Sequence, residues 1–281
     1  MENAFEIRNL SKKYKDFSLD NVNIALPEGC IMGIVGENGA GKTTMIKSMM
    51  GLISIDSGEI DVLGQDSRNL KPQVKEHIGV VMDDCSFPEN LNFKNINLIM
   101  KKSYKTWDEE KFLEFGRRFG LSPDKKVKEY SKGMKMKLSI AAAMSHDSRL
   151  LILDEPTSGL DPVVRDEILD IFLEFIQDEK HSIFFSSHII NDLEKICDYF
   201  TVIHKGKVLL SDEKDVLLDK YVILKCSEEE LAKVEPSAVI GVRKNRFGAE
   251  ALILREYAPE NSVTERPGLE EIMLYHVKEM R

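Results

Sequence analysis

Cysteine is scarce in this 281-residue chain, which contains only four residues of this type. They are scattered along the sequence and form no C-x-x-C pair: Cys30, Cys85, Cys197 and Cys226. This spacing predicts neither a zinc site nor a disulfide framework. We therefore expect free, reduced thiols of the kind that cytosolic proteins carry.

Long uncharged segments are also missing. The segment 181–191 is among the longest, and it is much shorter than the roughly 18 residues that a membrane helix needs. The first residues have no basic start followed by an apolar run, so we expect no secretory signal. The chain is expected to be soluble, and any membrane-spanning part of its machinery would belong to another polypeptide.

Basic residues do not predominate, because 39 Lys and Arg face 48 Asp and Glu, for a net charge of −9. This balance argues against a general nucleic-acid binder, and no nucleic-acid partner is expected, although a local basic face stays possible in principle. There are no internal repeats or low-complexity tracts. The length allows one large domain, or a domain with an appendage.

Short apolar runs alternate with helical patterns along the first three quarters of the chain, which predicts a mainly parallel α/β core. Strands are expected at 30–35, 57–64, 150–153 and 182–186, and a lysine-rich helical segment at about 85–146. Asp161 and Pro162 are suited to the N-cap and first position of a helix. Lys205-Gly206 is expected to form a tight hairpin between strands at 201–204 and 207–210.

The pattern changes after Asp212. Strands are expected at 221–226, 239–242 and 251–254, followed by an amphipathic helix after Pro267-Gly268. We therefore divide the chain into a main domain, residues 1–214, and a small α+β lobe, residues 215–281, with an accessory or dimerisation role.

Residues 36–44 carry the main functional signal. They match G-x-x-x-x-G-K-[ST], a loop that binds phosphates between a strand and a helix. Its glycines let successive N–H groups point inward, Lys42 adds a mobile positive charge, and the Thr43 hydroxyl is suited to Mg²⁺. The predicted nucleotide-binding residues of this loop are Gly36, Glu37, Asn38, Gly39, Ala40, Gly41, Lys42, Thr43 and Thr44.

Two acidic residues follow the predicted strand 150–153, at the end where ligands of α/β sheets bind. Asp154 is expected to hold Mg²⁺, and Glu155 to orient and deprotonate an attacking water. An exposed acidic pair at a strand end is common by itself. The preceding phosphate loop makes the catalytic interpretation the stronger one.

Between these elements lies Tyr130-Ser131-Lys132-Gly133-Met134, followed by an apolar-faced helix. A loop, a helix and then a strand ending in Asp-Glu-Pro resembles the ATP-binding cassette (ABC) transporter ATPases, whose L-S-G-G-Q signature aligns with this loop. The residues at these motif positions are most similar to those of bacterial drug and peptide exporter ATPases. The resemblance implies an α/β P-loop core with an N-terminal antiparallel β subdomain, an inserted helical subdomain and the C-terminal α+β appendage.

The resemblance also implies roles for residues outside the phosphate loop. Tyr14 matches an aromatic that stacks on adenine, although a packed surface tyrosine is the alternative. Ser131 and Gly133 match the signature positions that cap ATP held by a second subunit. His188 matches a switch histidine that contacts the γ-phosphate, and residues 158–161 match the loop that touches the opposing subunit. Lys42, Glu155 and His188 are thus the expected catalytic residues.

Three positions depart from the family pattern. Asp83 stands where a glutamine normally ligates Mg²⁺, and its carboxylate adds negative charge near the phosphates. Asp84, or neither residue, could instead fill that role. Lys132 and Met134 replace a glycine and a glutamine of the signature. The predicted metal ligands are therefore Thr43, Asp83 and Asp154.

The resemblance implies ATP and Mg²⁺ as cofactors, an integral-membrane permease as partner, and a homodimer or a heterodimer with another such ATPase. The expected location is cytoplasmic, peripheral on the inner face of the cell membrane. Peptides or drugs are the expected cargo of export. The alternatives are a soluble mechanochemical ATPase acting on DNA or ribosomes, and a low-activity cassette paired with an active partner.

Overall fold

Three β-sheets organise the part of the chain that the computed structural model describes, residues 2–246, 248–260 and 262–279. The strands are β1 Asn3–Lys13, β2 Ser18–Pro27, β3 Ile31–Val35, β4 Ser57–Val62, β5 Gln65–Asp66, β6 Ile78–Val81, β7 Leu150–Asp154, β8 Ser182–Ser187, β9 Tyr199–His204, β10 Lys207–Glu213, β11 Tyr221–Cys226, β12 Val239–Asn245, β13 Gly248–Leu254 and β14 Val263–Glu265. The helices are α1 Lys42–Met49, α2 Pro72–Lys75, α3 Phe93–Ser103, α4 Glu109–Arg118, α5 Lys132–Met144, α6 Pro162–Phe175, α7 Ile190–Ile196, α8 Lys214–Lys220, α9 Glu228–Leu231 and α10 Leu269–Glu279. Every strand and helix predicted above is confirmed.

The central sheet has the strand order β10-β9-β3-β8-β7-β6, with parallel pairing from β9 through to β6. Its strands β3, β7 and β8 are buried at every position, as parallel strands with helices on both faces must be. Because these three strands are parallel neighbours, their carboxyl ends meet at one edge of the sheet. The candidate site lies at that edge.

An antiparallel sheet of order β2-β1-β4-β5 covers the N-terminal part of the core, as the fold prediction requires. The turn between β1 and β2 is closed by a 2.7 Å hydrogen bond from Tyr14 N–H to the Phe17 carbonyl. This turn places the Phe17 ring beside Gly41 of the phosphate loop, with the Tyr14 ring 6.4 Å from that of Phe17.

The inserted helical segment consists of α3, α4 and α5. Phe93 of α3 stacks on Phe112 of α4 at a ring-centroid distance of 4.3 Å, and both rings are buried. Helix α5 packs against β6 and connects the segment to the central sheet. Its N-cap is Ser131, whose hydroxyl accepts a hydrogen bond from Met134 N–H at 3.2 Å.

Helix α6 begins as the sequence predicts. Asp161 is its N-cap, Pro162 is its first residue, and the Asp161 carboxylate accepts hydrogen bonds from two backbone N–H groups of the first turn. The hairpin at Lys205-Gly206 also forms, with His204 of β9 directly opposite Lys207 of β10.

The C-terminal segment forms a third, antiparallel sheet of order β12-β13-β11-β14. Its helix α10 is not peripheral, because Leu269 and Ile272 are fully buried and share the main hydrophobic core with Leu193 and Ile196 of α7. A smaller apolar cluster lies on the other side of the sheet. The domain boundary at 214/215 stays a prediction, and positions 1, 247, 261, 280 and 281 of the two predicted units lie outside the described residues.

Gly206 provides a test of this packing. Its φ is +79°, and a Cβ there would lie 1.7 Å from the Ser18 carbonyl oxygen. We expect Gly206→Ala to lower the free energy of unfolding by roughly 2–5 kcal/mol, from left-handed strain plus the clash. Urea denaturation measures the change.

Gly64 is the matched control, since its φ is +76° and a Cβ there would meet no atom within 4 Å. Gly64→Ala should cost only the backbone strain, about 1–2 kcal/mol. Equal losses for the two variants would contradict the close approach of Gly206 to β2.

Candidate active site

The phosphate loop joins the buried strand β3 to helix α1. A Cβ on Gly36 would lie 2.4 Å from the Ile203 carbonyl oxygen, and one on Gly41 would lie 2.8 Å from the Phe17 ring. Glycine is therefore required at both positions by neighbouring atoms. The loop, Phe17, Asp83, Asp154 and Glu155 together line a cleft of about 350 Å³.

Lys42 lies inside this cleft and is only 6% exposed. Its Nζ donates a 2.7 Å hydrogen bond to the Gly36 carbonyl and lies 3.2 Å from Glu155 Oε1. Within the described part of the chain, that Glu155 oxygen is buried and accepts no hydrogen bond. A buried ammonium, paired with a carboxylate oxygen that accepts no hydrogen bond, fits a site whose remaining partners come with a phosphate tail and its water.

Asp154 is held from both sides. Its Oδ2 accepts a 2.7 Å hydrogen bond from the Thr43 hydroxyl of α1, and its Oδ1 accepts one of 2.7 Å from the Ser186 hydroxyl of β8. Asp154 is 2% exposed. Among the described residues no group of three or more His, Cys, Asp or Glu could hold a metal. A hydroxyl and one or two carboxylates fit Mg²⁺, which takes its other ligands from phosphates and water.

Glu155 has a left-handed backbone with φ of 52°, a conformation that costs a non-glycine residue roughly 1–3 kcal/mol. Its N–H is fixed by the Ser186 carbonyl at 3.1 Å and the Ser186 hydroxyl at 3.0 Å. This conformation carries the Glu155 side chain to His188, whose Nδ1 lies 2.6 Å from Oε2. Glu155 thus contacts Lys42 with one oxygen and His188 with the other.

Asp192 lies in α7, four residues after His188, and is 2% exposed. Burial raises the pKa of its carboxyl, while the nearby charge of Arg165, whose Nε lies 3.8 Å from Oδ2, acts in the opposite direction. Because Arg165 lies in α6, the helix that follows residues 158–161, its pairing with Asp192 connects α6 to α7.

The structure brings together the predicted residues Lys42, Thr43, Asp154, Glu155 and His188. Asp83 also lines the cleft, and Asp84 does not.

Five predicted residues do not line the cleft: Tyr14, Gly36, Ser131, Gly133 and His188. Two of them contact residues that do, because the Gly36 carbonyl accepts a hydrogen bond from Lys42 and His188 contacts Glu155. Tyr14 is 49% exposed and its ring lies 6.4 Å from that of Phe17, in the same turn. Ser131 is the N-cap of α5, and Gly133 is the second residue of that helix. Within one copy of the described chain, the signature residues therefore do not cover the phosphate loop.

Two residues of the site were missed by sequence reasoning. Phe17 lines the cleft, and its aromatic character three residues after Tyr14 was an available signal. Ser186 contacts both Asp154 and Glu155. A hydroxyl that ends a buried run of Ile183, Phe184 and Phe185 was the signal there, because buried polar groups need partners.

The family model described as ABC transporter matches residues 19–158. An uncharacterized ABC transporter ATP-binding protein of Bacillus subtilis, YhcH, is 30% identical over 99% of this chain and 92% of its own length. The lantibiotic transport ATP-binding protein SrtF of Streptococcus pyogenes is 36% identical over 75% of this chain and 91% of its length. The bacitracin transport ATP-binding protein BcrA of Bacillus licheniformis is also 36% identical, over 74% and 69%.

Solved structures agree with these relatives. An ATP-binding subunit of an ABC transporter superposes with a TM-score of 0.69 at 26% identity, covering 76% of this chain and 91% of that one. A dimeric ATP-binding cassette bound to ADP and phosphate has a TM-score of 0.66 at 21% identity, over 74% and 98%, which shows the likeness of fold alone.

Ser186 offers a test of the site's construction. We expect Ser186→Ala to lower the free energy of unfolding by about 2–3 kcal/mol, because a buried carboxylate loses a charge-assisted hydrogen bond. Urea denaturation at neutral pH measures the loss.

Ser182 is the control on the same strand, equally buried, and its hydroxyl accepts a hydrogen bond from the neutral Gly29 N–H. Ser182→Ala should cost about 1 kcal/mol. A loss for Ser182→Ala as large as that for Ser186→Ala would contradict the special role of the Asp154 contact.

Proposed function

The chain belongs to the ABC transporter family as an ATP-hydrolysing, ATP-binding subunit, and from that premise we propose that it drives a bacterial exporter of peptides or drugs. The observation that carries the ATPase part is the single cleft in which Lys42, Thr43, Asp154 and Glu155 meet. The cargo is supported by relatives named for bacitracin and lantibiotic transport.

The partner of this subunit is proposed to be an integral-membrane permease. None of the described helices is long and apolar enough to cross a membrane. Helix α3 exposes Leu98 at 56% and Ile99 at 45%, an apolar surface on the inserted helical segment that suits a docked helix of the permease. We accordingly place the chain at the cytoplasmic face of the cell membrane.

The residues of the cleft have distinct roles in the proposed hydrolysis. Lys42 binds the β- and γ-phosphates in place of the Gly36 carbonyl, together with the N–H groups of the loop. Thr43, Asp154 and Asp83 would hold Mg²⁺. When bound, the ion would supply positive charge that offsets the negative charge developing on the phosphate oxygens. Glu155 accepts the proton of the attacking water, and His188, oriented by Glu155, steadies the γ-phosphate.

Dimerisation is proposed because one copy leaves its nucleotide site open. Ser131 and Gly133 lie outside the cleft lining of their own chain, at the N-terminus of α5, where a hydroxyl, an N–H and the helix dipole favour an anion. A second copy, or another ATPase of the family, would therefore cap the bound ATP with these residues. ATP binding joins the two subunits and hydrolysis separates them.

The C-terminal segment is proposed to act as an accessory lobe that controls the switch region. Glu194 of α7 accepts a 2.7 Å hydrogen bond from Leu269 N–H at the start of α10, and Leu269 and Leu193 belong to the same hydrophobic core. Helix α7 begins two residues after His188. Displacement of the lobe would therefore be transmitted to the histidine that contacts Glu155.

The role of Glu155 is testable by Glu155→Gln. The amide cannot act as a base, so ATP hydrolysis should fall by about 10²-fold or more while ATP still binds. With ATP and Mg²⁺ the variant should accumulate as a dimer, measured by light scattering after gel filtration. Brisk turnover by this variant would contradict the assignment.

Lys42→Ala provides the complementary control, because it should lose nucleotide affinity in a direct binding assay. It should accordingly stay monomeric under the same conditions.

The proposed export of peptides can be tested in the source bacterium by replacing the chromosomal gene for this chain with one that encodes the Glu155→Gln variant. Bacitracin and a lantibiotic should inhibit growth at lower concentrations than in the wild type, because export has lost its energy source. Glu229→Gln, the same change on an exposed residue of α9, is the matched control and should leave the inhibitory concentrations unchanged. Unaltered sensitivity to both peptides in the hydrolysis-deficient strain would contradict the proposed cargo.

A further inference from the structure

Two residues that depart from the family pattern contact each other. Lys132 Nζ lies 3.5 Å from Asp83 Oδ1, although the two positions are 49 residues apart in sequence. Asp83 follows strand β6, and Lys132 is the first residue of α5, directly after Ser131. The aspartate that replaces glutamine thus pairs with the lysine that replaces glycine.

The position of Lys132 is defined by a third loop. A Cβ on Gly159 would lie 3.4 Å from Lys132 Nζ and 3.8 Å from its Cδ, so the lysine side chain passes over this glycine. Lys132 therefore lies where the Asp83 loop, the signature loop and the loop 158–161 of one subunit meet.

Asp83 also belongs to the nucleotide cleft, whose lining includes Thr43 and Asp154. Its carboxylate consequently has two possible cationic partners, the Lys132 ammonium and the metal ion of the proposed nucleotide complex. A divalent ion prefers carboxylate oxygens and binds them more strongly than a solvated ammonium does. A carboxylate engaged with Lys132 at 3.5 Å is less available to the metal.

We propose that Lys132 and Mg²⁺ compete for Asp83, so that Mg²⁺-nucleotide binding releases the signature loop from the Asp83 loop of the same subunit. The inference rests on the proposed function, since it requires Asp83 to take part in the metal site. Before nucleotide binds, Lys132 neutralises the charge that aspartate adds to the cleft. Afterwards, Lys132 is free to follow Ser131 toward the nucleotide of the opposing subunit.

The competition should be modest in size. The side chains of Lys132 and Asp83 are 51% and 52% exposed, and ion pairs of this kind change an equilibrium by about two- to five-fold. A release step needs a contact that is weak enough to break when the metal arrives.

The test is a Mg²⁺ titration of the binding of a fluorescent, non-hydrolysable ATP analogue to the full chain. Lys132→Met should lower the Mg²⁺ concentration for half-maximal binding by about two- to five-fold. In the Asp83→Asn background the same substitution should change it by less than about 1.5-fold, since only screened, long-range repulsion remains.

Lys132→Gln is a second variant that removes the charge, and it should reproduce the shift. Lys128→Met removes an exposed charge four residues earlier and should leave the titration unchanged. Equal shifts from Lys132→Met in the two backgrounds, or no shift in either, would overturn the competition.

The outcomes also separate this inference from the function on which it rests. A wild-type chain that fails to bind the analogue with Mg²⁺ overturns the ATPase assignment and the competition together. Normal Mg²⁺-dependent binding with equal shifts in both backgrounds overturns the competition alone.

Discussion

The parallel pairing of β3, β8 and β7 is the constraint on which the site depends. Asp154 at the end of β7 pairs in register with Ser186 of β8, and Val35 at the end of β3 pairs with Ser187. This register brings the phosphate loop, the acidic pair and His188 to one edge of the sheet, although they are far apart in sequence. Each strand is short and buried at every position, so a shift in register would move every catalytic group at once.

Within this frame Lys42, Asp154 and Glu155 all have partners before any ligand binds. Lys42 is held between a loop carbonyl and Glu155, and Asp154 accepts hydrogen bonds from two hydroxyl groups. Glu155 maintains a left-handed backbone that its contacts with Ser186 secure. The site is thus preorganised, and a phosphate exchanges existing contacts instead of creating a buried charge. In one copy, the signature residues Ser131 and Gly133 do not line this cleft.

The elements that the sequence predicted well are those with local causes. Asp161-Pro162 starts α6 through its own backbone contacts, and Lys205-Gly206 turns because only two residues join the strands. Ser186 and Phe17 were missed because their roles come from strand pairing and from the approach of the β1–β2 turn to Gly41. The burial of α10 against α7 was also not predictable, since an amphipathic stripe specifies no partner. Asp83 and Lys132 were recognised separately, and only the fold showed their contact.

The central claim is that two subunits share each nucleotide, with the phosphate loop of one and the signature loop of the other. The most direct measurement is a structure of the Glu155→Gln variant with ATP and Mg²⁺. The account predicts that the γ-phosphate lies near Lys42 of one copy and within hydrogen-bond distance of the Ser131 hydroxyl of the second. A dimer in which Ser131 is remote from the partner's Lys42, or a monomer that encloses ATP alone, would contradict it.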